Sequence, residues 1–486
     1  MQNREVKVLS AAEVEAMYDQ GKEAMVGAYL RVQEQIIQLM GRVGELERQL
    51  NQNSQNSSKP PSSKGYKKPA PKSLRKKTGR KKGGQPGHPG KTLERVAVAD
   101  HVVEHWPMCC GCCGELLRED HALGCETRQV HDLPPIKIET TDHQAMQVRC
   151  QWCGHSTQAA FPQQVHSRVQ YGSGVMALGV AKRATMYQLL PIERTSEMLG
   201  DLFGRAISGG TIMNWMASCA QRLAPTQALI KLAIHGSAVV HFDETGLRTA
   251  GKLHWLHSAS TNSLTYYHFD THRAGAAFDR VGILPEFLGT AAHDALPSYL
   301  CRDVLHALCN AHLLRELTGL EEQTQQRWPT QLKGVLIEMK DKVEQAVARG
   351  ADRLRADVLA RLEGEYDRLV KRALQSNPRP KYPPGQKDRP RASPARNLAK
   401  RLRDHKDSVL RFLHDFRVPF DNNLAERDLR MSKVKQKISG CFRSLKGARG
   451  FATIRGYIST VRKQDYTAFE ALRAFFNYRP VQLALD

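Results

Sequence analysis

Long apolar runs are missing from this chain: none of its hydrophobic stretches is long enough to span a bilayer, and the polar N-terminus, mixed in charge, carries no secretory pattern. Acidic residues are scarce beside basic ones, 49 against 72, and none at all occurs between Asn51 and Leu93. The resulting formal net charge of +23 predicts a polyanionic partner, nucleic acid ahead of an anionic membrane surface. Cysteine is sparse and odd in number, 11 in all, with Cys109, Cys110, Cys112 and Cys113 crowded together. That distribution argues for thiolate ligands in a reducing compartment and against a disulfide framework, so a cytoplasmic protein without a membrane partner is expected.

What is present reads as a multidomain α+β chain, since 486 residues allow two to four modules. Residues 1–52 read as helix, in which Met25, Tyr29, Val32, Ile36, Leu39, Val43, Leu46 and Leu50 recur in steps of four and three. Such a seam is that of a coiled coil and predicts a homo-oligomer, with a helix packed on its own chain as the alternative. Residues 53–100 turn to Asn, Ser, Pro, Gly and Lys, a composition that cannot bury enough apolar surface to fold alone. Within this linker Lys76, Lys77, Arg80, Lys81 and Lys82 are expected to neutralise phosphates without reading sequence.

Residues 101–165 read as a zinc module. Cys110 with Cys113 and Cys150 with Cys153 each form a Cys-x-x-Cys followed by Gly, a turn that aims two thiolates at one centre. One structural zinc is expected, with Cys109 and Cys112 as a competing register and Cys125 or His105 as substitutes. Strands are expected over 129–138 and 140–148. Residues 166–235 are helical, either a helix-turn-helix reader or helices that brace the next domain.

The stretch Val239-Val240-His241-Phe242-Asp243 reads as a buried strand that delivers a carboxylate to the sheet rim. Two further strands, a short helix and a second apolar run ending on Asp294 follow, so that 236–320 forms an α/β sheet in which the strands of Asp243 and Asp294 lie side by side. Residues 321–415 read as an all-helical insertion, and 416–486 complete the core with helices, one of which carries Glu426. Three carboxylates from three elements can hold two divalent ions for phosphoryl transfer, with magnesium, or manganese in its place, suited to oxygen ligands. Glu244 is expected to face away from Asp243, toward solvent or behind the ligands, and Asp428 to point off the face of Glu426. Asn422 and His312 are placed behind the ligands, and Arg427, Arg430 and Lys433 beside the DNA.

His241-Phe242-Asp243-Glu244-Thr245-Gly246, His293-Asp294, Cys309-Asn310-Ala311-His312-Leu313-Leu314-Arg315-Glu316 and Asn422-Asn423-Leu424-Ala425-Glu426-Arg427 together resemble the Insertion Sequence 66 family of bacterial transposases. The tract Asn56-Ser57-Ser58-Lys59-Pro60-Pro61 and Gly83-Gly84-Gln85-Pro86-Gly87-His88 share in the resemblance. It implies a ribonuclease-H-like catalytic core with an Asp-Asp-Glu triad at Asp243, Asp294 and Glu426, cutting DNA ends and joining them to a target. It also implies a bacterial cytoplasmic protein, nucleoid-associated when bound, that works with small accessory proteins of the same element. Two other readings fit the residues: a nuclease or resolvase that cuts without joining, and a zinc-containing DNA-binding regulator without catalysis.

Overall fold

A computed structural model describes residues 10–52, 56–57, 93–134, 136–184, 189–379 and 392–485. The phosphate contacts expected at Lys76, Lys77, Arg80, Lys81 and Lys82 lie outside the described residues. The chain divides into two compact units, the first of Met1–Pro71, Phe161–Ser196 and Ser208–Asp486, the second of Lys72–Ala160 and Glu197–Ile207. Among the described residues no helix is long and apolar enough to cross a membrane.

In the first unit the N-terminal segment forms two helices in place of the single one expected. Helix α1 (Ala11–Asp19) opens on a capping box in which Ser10 and Glu13 each accept the other's backbone amide hydrogen. It stops at Gln20 because Gly21, at φ 97°, turns the chain into a conformation that a side chain disfavours, and α2 (Lys22–Asn51) starts afresh. On α2 the residues Tyr29, Val32, Ile36, Leu39, Val43, Leu46 and Leu50 are all exposed.

The tract after α2 departs from its low-complexity reading at Asn56 and Ser57, both of which are buried. The Asn56 side chain donates to Glu322 Oε2 at 2.8 Å and to the Asn51 carbonyl at 3.1 Å. Its backbone carbonyl sits where any residue larger than glycine at 319 would place a Cβ.

Among its described residues the second unit holds a small hairpin, β1 (Gln147–Arg149) antiparallel to β2 (Ser156–Gln158). The strand expected over 129–138 is absent among its described residues, and that over 140–148 survives only at its end. Pro134 supplies no amide to a ladder, and the partner strand is only three residues long.

Helices α3 (Ser173–Ala184), α4 (Ile192–Phe203) and α5 (Gly209–His235) precede the sheet. The sheet comprises β3 (Val239–Thr249), β4 (Lys252–Ser260), β5 (Thr265–Asp270), β6 (Thr290–His293) and β7 (Leu305–Leu308), in the order β5-β4-β3-β6-β7. Strands β3, β4 and β5 are antiparallel neighbours, whereas β6 runs parallel to β3 and β7 parallel to β6. Helices α6 (Ala276–Val281), α7 (Pro297–Leu300) and α8 (Asn310–Gln323) connect these strands and lead out of the last.

Alternation along β3 sorts its side chains between two faces. Val240 and Phe242 pack with Ile230 and Ile234 of α5, Phe278 of α6 and Tyr299 of α7. Ala292 and Leu308 meet instead the leucines of α8 and of the helical segment α9 (Trp328–Ala348), α10 (Ala356–Ser376), α11 (Pro394–Asp404) and α12 (Lys406–His414). The chain closes with α13 (Asn423–Ser439), α14 (Leu445–Lys463) and α15 (Ala468–Phe476), and Leu429 of α13 joins Leu247, Leu256 and Phe269 of the sheet in a third core.

Along α5 the buried residues Ile212, Trp215, Cys219, Leu223, Ile230 and Ile234 recur every three, four or seven positions and lie against α14 and β5. One face of α5, the second helix of the expected pair, thus braces the sheet. The described residues make a mixed α+β protein with a helical majority and a central five-stranded sheet in the first unit.

Candidate active site

The parallel register sets the first two acids side by side. His241 pairs with Ala292, and two residues further on Asp243 still lies in β3 while Asp294 stands just past the end of β6, so both acids lie at the same end of these neighbouring strands. The Asp243 Oδ1 accepts the Glu244 amide at 2.8 Å. Withdrawal from water raises the Asp243 pKa well above the usual carboxylate range, and the charges of Glu244, Asp294 and Glu426 add to the rise. Asp294 is raised by the same withdrawal, against the pull of the Leu296 amide, Arg273 and Arg315. Its Oδ1 is buried without a hydrogen-bond partner.

Glu426 is carried by α13, and Asn422 fixes the start of that helix. Asn422 is 1% exposed; its Nδ2 donates to the Phe242 carbonyl at 2.8 Å, and its backbone amide points at Cys309 Sγ at 3.1 Å. With the amide nitrogen committed, Oδ1 is an acceptor, so His241 Nδ1, 2.7 Å away, carries the proton. One helical turn later Glu426, its side chain 37% exposed, places Oε1 at 3.4 Å from Arg315 Nη2 and 3.7 Å from His312 Nε2. Burial, helped by Arg315 and Arg401, pushes the His312 pKa down to about 3, so the ring beside Glu426 is neutral.

The basic residues of α13 divide into two kinds. Arg427 and Arg430 are exposed and hold no side-chain partner among the described residues. Lys433, half-buried, donates to the Gly246 carbonyl of β3, so its ammonium is tied to the sheet. Asp428 pairs with Lys463 at 2.8 Å, a structural bridge away from the acids.

Glu244 faces away from Asp243 as expected, but not toward solvent: its side chain is 1% exposed. It accepts from Arg273 Nε at 2.9 Å and from the Tyr299 hydroxyl at 2.9 Å, two groups that lie 29 and 55 positions along the chain. A buried carboxylate needs such partners, and no local pattern around Glu244 announces them. Arg273 and Tyr299 were not read from the sequence. Arg315 was readable in principle, because it follows His312 by three positions and so shares its helix face.

Arg273 thus holds Glu244 and Arg315 holds Glu426, while the charges of Glu244, Asp294 and Glu426 are all felt at Asp243. The excess negative charge and the orphaned Asp294 oxygen suit a hard, oxygen-seeking cation. Among the described residues no three or more His, Cys, Asp or Glu side chains are gathered tightly enough to hold a metal ion.

The cysteine turns of the second unit repeat one geometry. Cys110 N–H donates to Glu115 O at 2.8 Å and Gly114 N–H to Cys110 O at 3.0 Å; Cys150 N–H donates to His155 O at 2.8 Å and Gly154 N–H to Cys150 O at 2.9 Å. Gly114 and Gly154 take φ of 76° and 71°, where glycine alone is comfortable. The Cys113 and Cys112 amides lower the Cys110 pKa, and those of Cys153 and Trp152 do the same for Cys150. The turn is built on Cys110; Cys109 instead bridges to Leu116. Cys125 is exposed, with its sulfur 3.9 Å from the Thr127 hydroxyl.

Comparison with known proteins gives two matches to family models. Residues 5–94 match a family of unknown function (DUF6444). No curated protein matches the chain. The second model, described as Transposase IS66 family, matches residues 168–450, a span that holds Asp243, Asp294, His312, Asn422 and Glu426 and covers more than half of the sequence. The chain belongs to the Transposase IS66 family.

Proposed function

We propose that the protein is a metal-dependent DNA strand transferase whose catalytic acids are Asp243, Asp294 and Glu426, in a core of ribonuclease-H-like type. The observation that supports this reading is the parallel β3–β6 pairing, with Asp243 and Asp294 at the same end of the two strands and the charge of Glu426 felt at Asp243. The strand order, three antiparallel strands followed by two parallel ones, supports the ribonuclease-H-like assignment.

Asp243 would be shared between two magnesium (or manganese) ions, with Asp294 and Glu426 each holding one. When bound, the ions would lower the pKa of the attacking oxygen and stabilise the leaving one. First, water oxygen forms a bond to phosphorus as the bond to the 3′-oxygen of the element end breaks, leaving a 3′-hydroxyl. That hydroxyl then bonds to a target phosphorus while the target's own 3′-oxygen departs and takes up a proton. The chain holds the acids in place through Asn422 and Glu244. Arg427 and Arg430, exposed on α13, would grip phosphates, as would the basic linker; Lys433 would steady the sheet edge that bears Asp243.

The assay uses duplex DNA carrying the inverted repeats that flank the coding region. With magnesium, 3′-end cleavage and a joined product are expected. Cleavage without joining would favour the nuclease or resolvase, and binding without either would favour the regulator.

One structural zinc held by Cys110, Cys113, Cys150 and Cys153 is part of the same reading, supported by the two matching turns. Four thiolates would leave no open position, so this ion would serve the fold of the second unit and not the chemistry. Replacing Cys110 and Cys153 together by serine should release about one equivalent of zinc on metal analysis, as a four-thiolate site requires. Retained zinc would refute the ligand set. The exposed seam of α2 supports self-association, and the family suggests accessory proteins of the same element as further partners.

A further inference from the structure

The two arginines at the acids are held very differently. Arg273 is locked: it pairs with buried Glu244 at 2.9 Å, and its guanidinium lies 4.9 Å from the centre of the Trp255 ring. Arg315 is held loosely. Its Nε reaches the Ala311 carbonyl at 3.3 Å and its Nη2 reaches Glu426 Oε1 at 3.4 Å, both near the outer limit of a hydrogen bond. Nη1 has no protein partner among the described residues. The charge of Arg315 is also felt by Asp294. His312 Nε2 lies 3.7 Å from the same Glu426 oxygen.

We propose that Arg315 is a displaceable counter-ion. It holds Glu426 Oε1 while the site lacks metal, yields that oxygen to a divalent cation, and then presents its guanidinium to a non-bridging oxygen of the DNA phosphate being cut. The cation and the guanidinium compete for the same lone pairs, so each weakens the other's hold on Glu426, and the coupling is reciprocal. Once released, the planar fork matches the spacing of phosphate oxygens, which the point charge of a lysine does not. The inference rests on the assignment of Asp243, Asp294 and Glu426 as cation ligands.

The test measures Mn2+ binding to the full-length protein without DNA, and single-turnover end cleavage on DNA carrying the flanking repeats. Arg315→Gln should bind Mn2+ about threefold to fivefold more tightly, the scale of a partly exposed ion pair. At saturating Mn2+ it should nonetheless cut about a hundredfold more slowly, the loss typical of a donor aimed at transition-state charge. Arg315→Lys keeps the charge and should bind Mn2+ as the parent does. Unchanged or weaker Mn2+ binding in Arg315→Gln, cleavage at the parent rate, or tighter Mn2+ binding in Arg315→Lys as well, would each overturn the inference. Asp243→Asn and Glu426→Gln separate the two levels. If they bind Mn2+ as well as the parent does, the ligand assignment itself fails; if they lose it while Arg315→Gln changes nothing, only the role of Arg315 fails.

Discussion

Asp243→Asn should abolish both cleavage and joining, a loss of at least about a thousandfold, the scale expected when a group that organises transition-state charge is removed. DNA affinity should survive, because a chain with a formal charge of +23 binds the phosphate backbone through many contacts that one acid does not govern. The metal-free protein should melt at the same temperature or higher. Asp243 keeps a proton in the fold more readily than in the unfolded chain, since burial and then Glu244, Asp294 and Glu426 raise its pKa. Its contribution therefore favours the fold at low pH and is lost as pH rises from the ordinary aspartate value, about 3.9, through the raised one. The asparagine carries no such proton. In EDTA, the melting temperature of the variant should gain on that of the parent as pH rises, while the buried neutral histidines, which destabilise both proteins below about pH 6.5, cancel in the difference. Joining at the parent rate, or parallel melting curves, would contradict the placement of Asp243.

Asn422→Ala should damage stability and chemistry together. It strips the Phe242 carbonyl of a donor and His241 Nδ1 of its acceptor, both in a buried setting. Leaving two buried groups unmatched costs on the order of 2–4 kcal/mol, readable as a shifted denaturant midpoint. The same contacts hold the first turn of α13 against β3, so Glu426 would lose its position relative to Asp243; a displacement of about 1 Å costs roughly a hundredfold in rate. Asn422→Asp keeps the acceptor for His241 and loses only the donor to Phe242, and it should fall between the two. Parent-like stability of the alanine variant would mean that other contacts fix the helix.

Much of this site could be read from residue order, because its main frame is local. Val240 and Phe242 alternate with His241 and Asp243, and that period both makes β3 a strand and decides which face the acid occupies. The apolar run into Asp294 and the helical spacing around Glu426 carry the same kind of information. What escaped depends on partners distant in sequence. Residue order left Glu244 either solvent-facing or behind the ligands, and only Arg273 and Tyr299, distant in sequence, decide that it is buried and paired. Asn56 looked like linker, and only the bare backbone at Gly319 lets it dock. Strand signals in 129–138 were outweighed by Pro134, and the single helix read over 1–52 ran across Gly21, whose φ ends one helix and starts another.

The helical segment α9–α12 separates the third acid from the other two, and this matters while the protein is being made. Asp243 and Asp294 leave the ribosome 51 residues apart, but Glu426 follows Asp294 by 132. At synthesis rates of about 5–20 residues per second, that gap is roughly 7–26 s in which a nascent sheet holds two acids without the third. Any product cut short by a premature stop before α13 would keep charge enough to sit on DNA and lack the third of the proposed catalytic acids. Incomplete translation would yield competitors of the finished enzyme and not unregulated cutters.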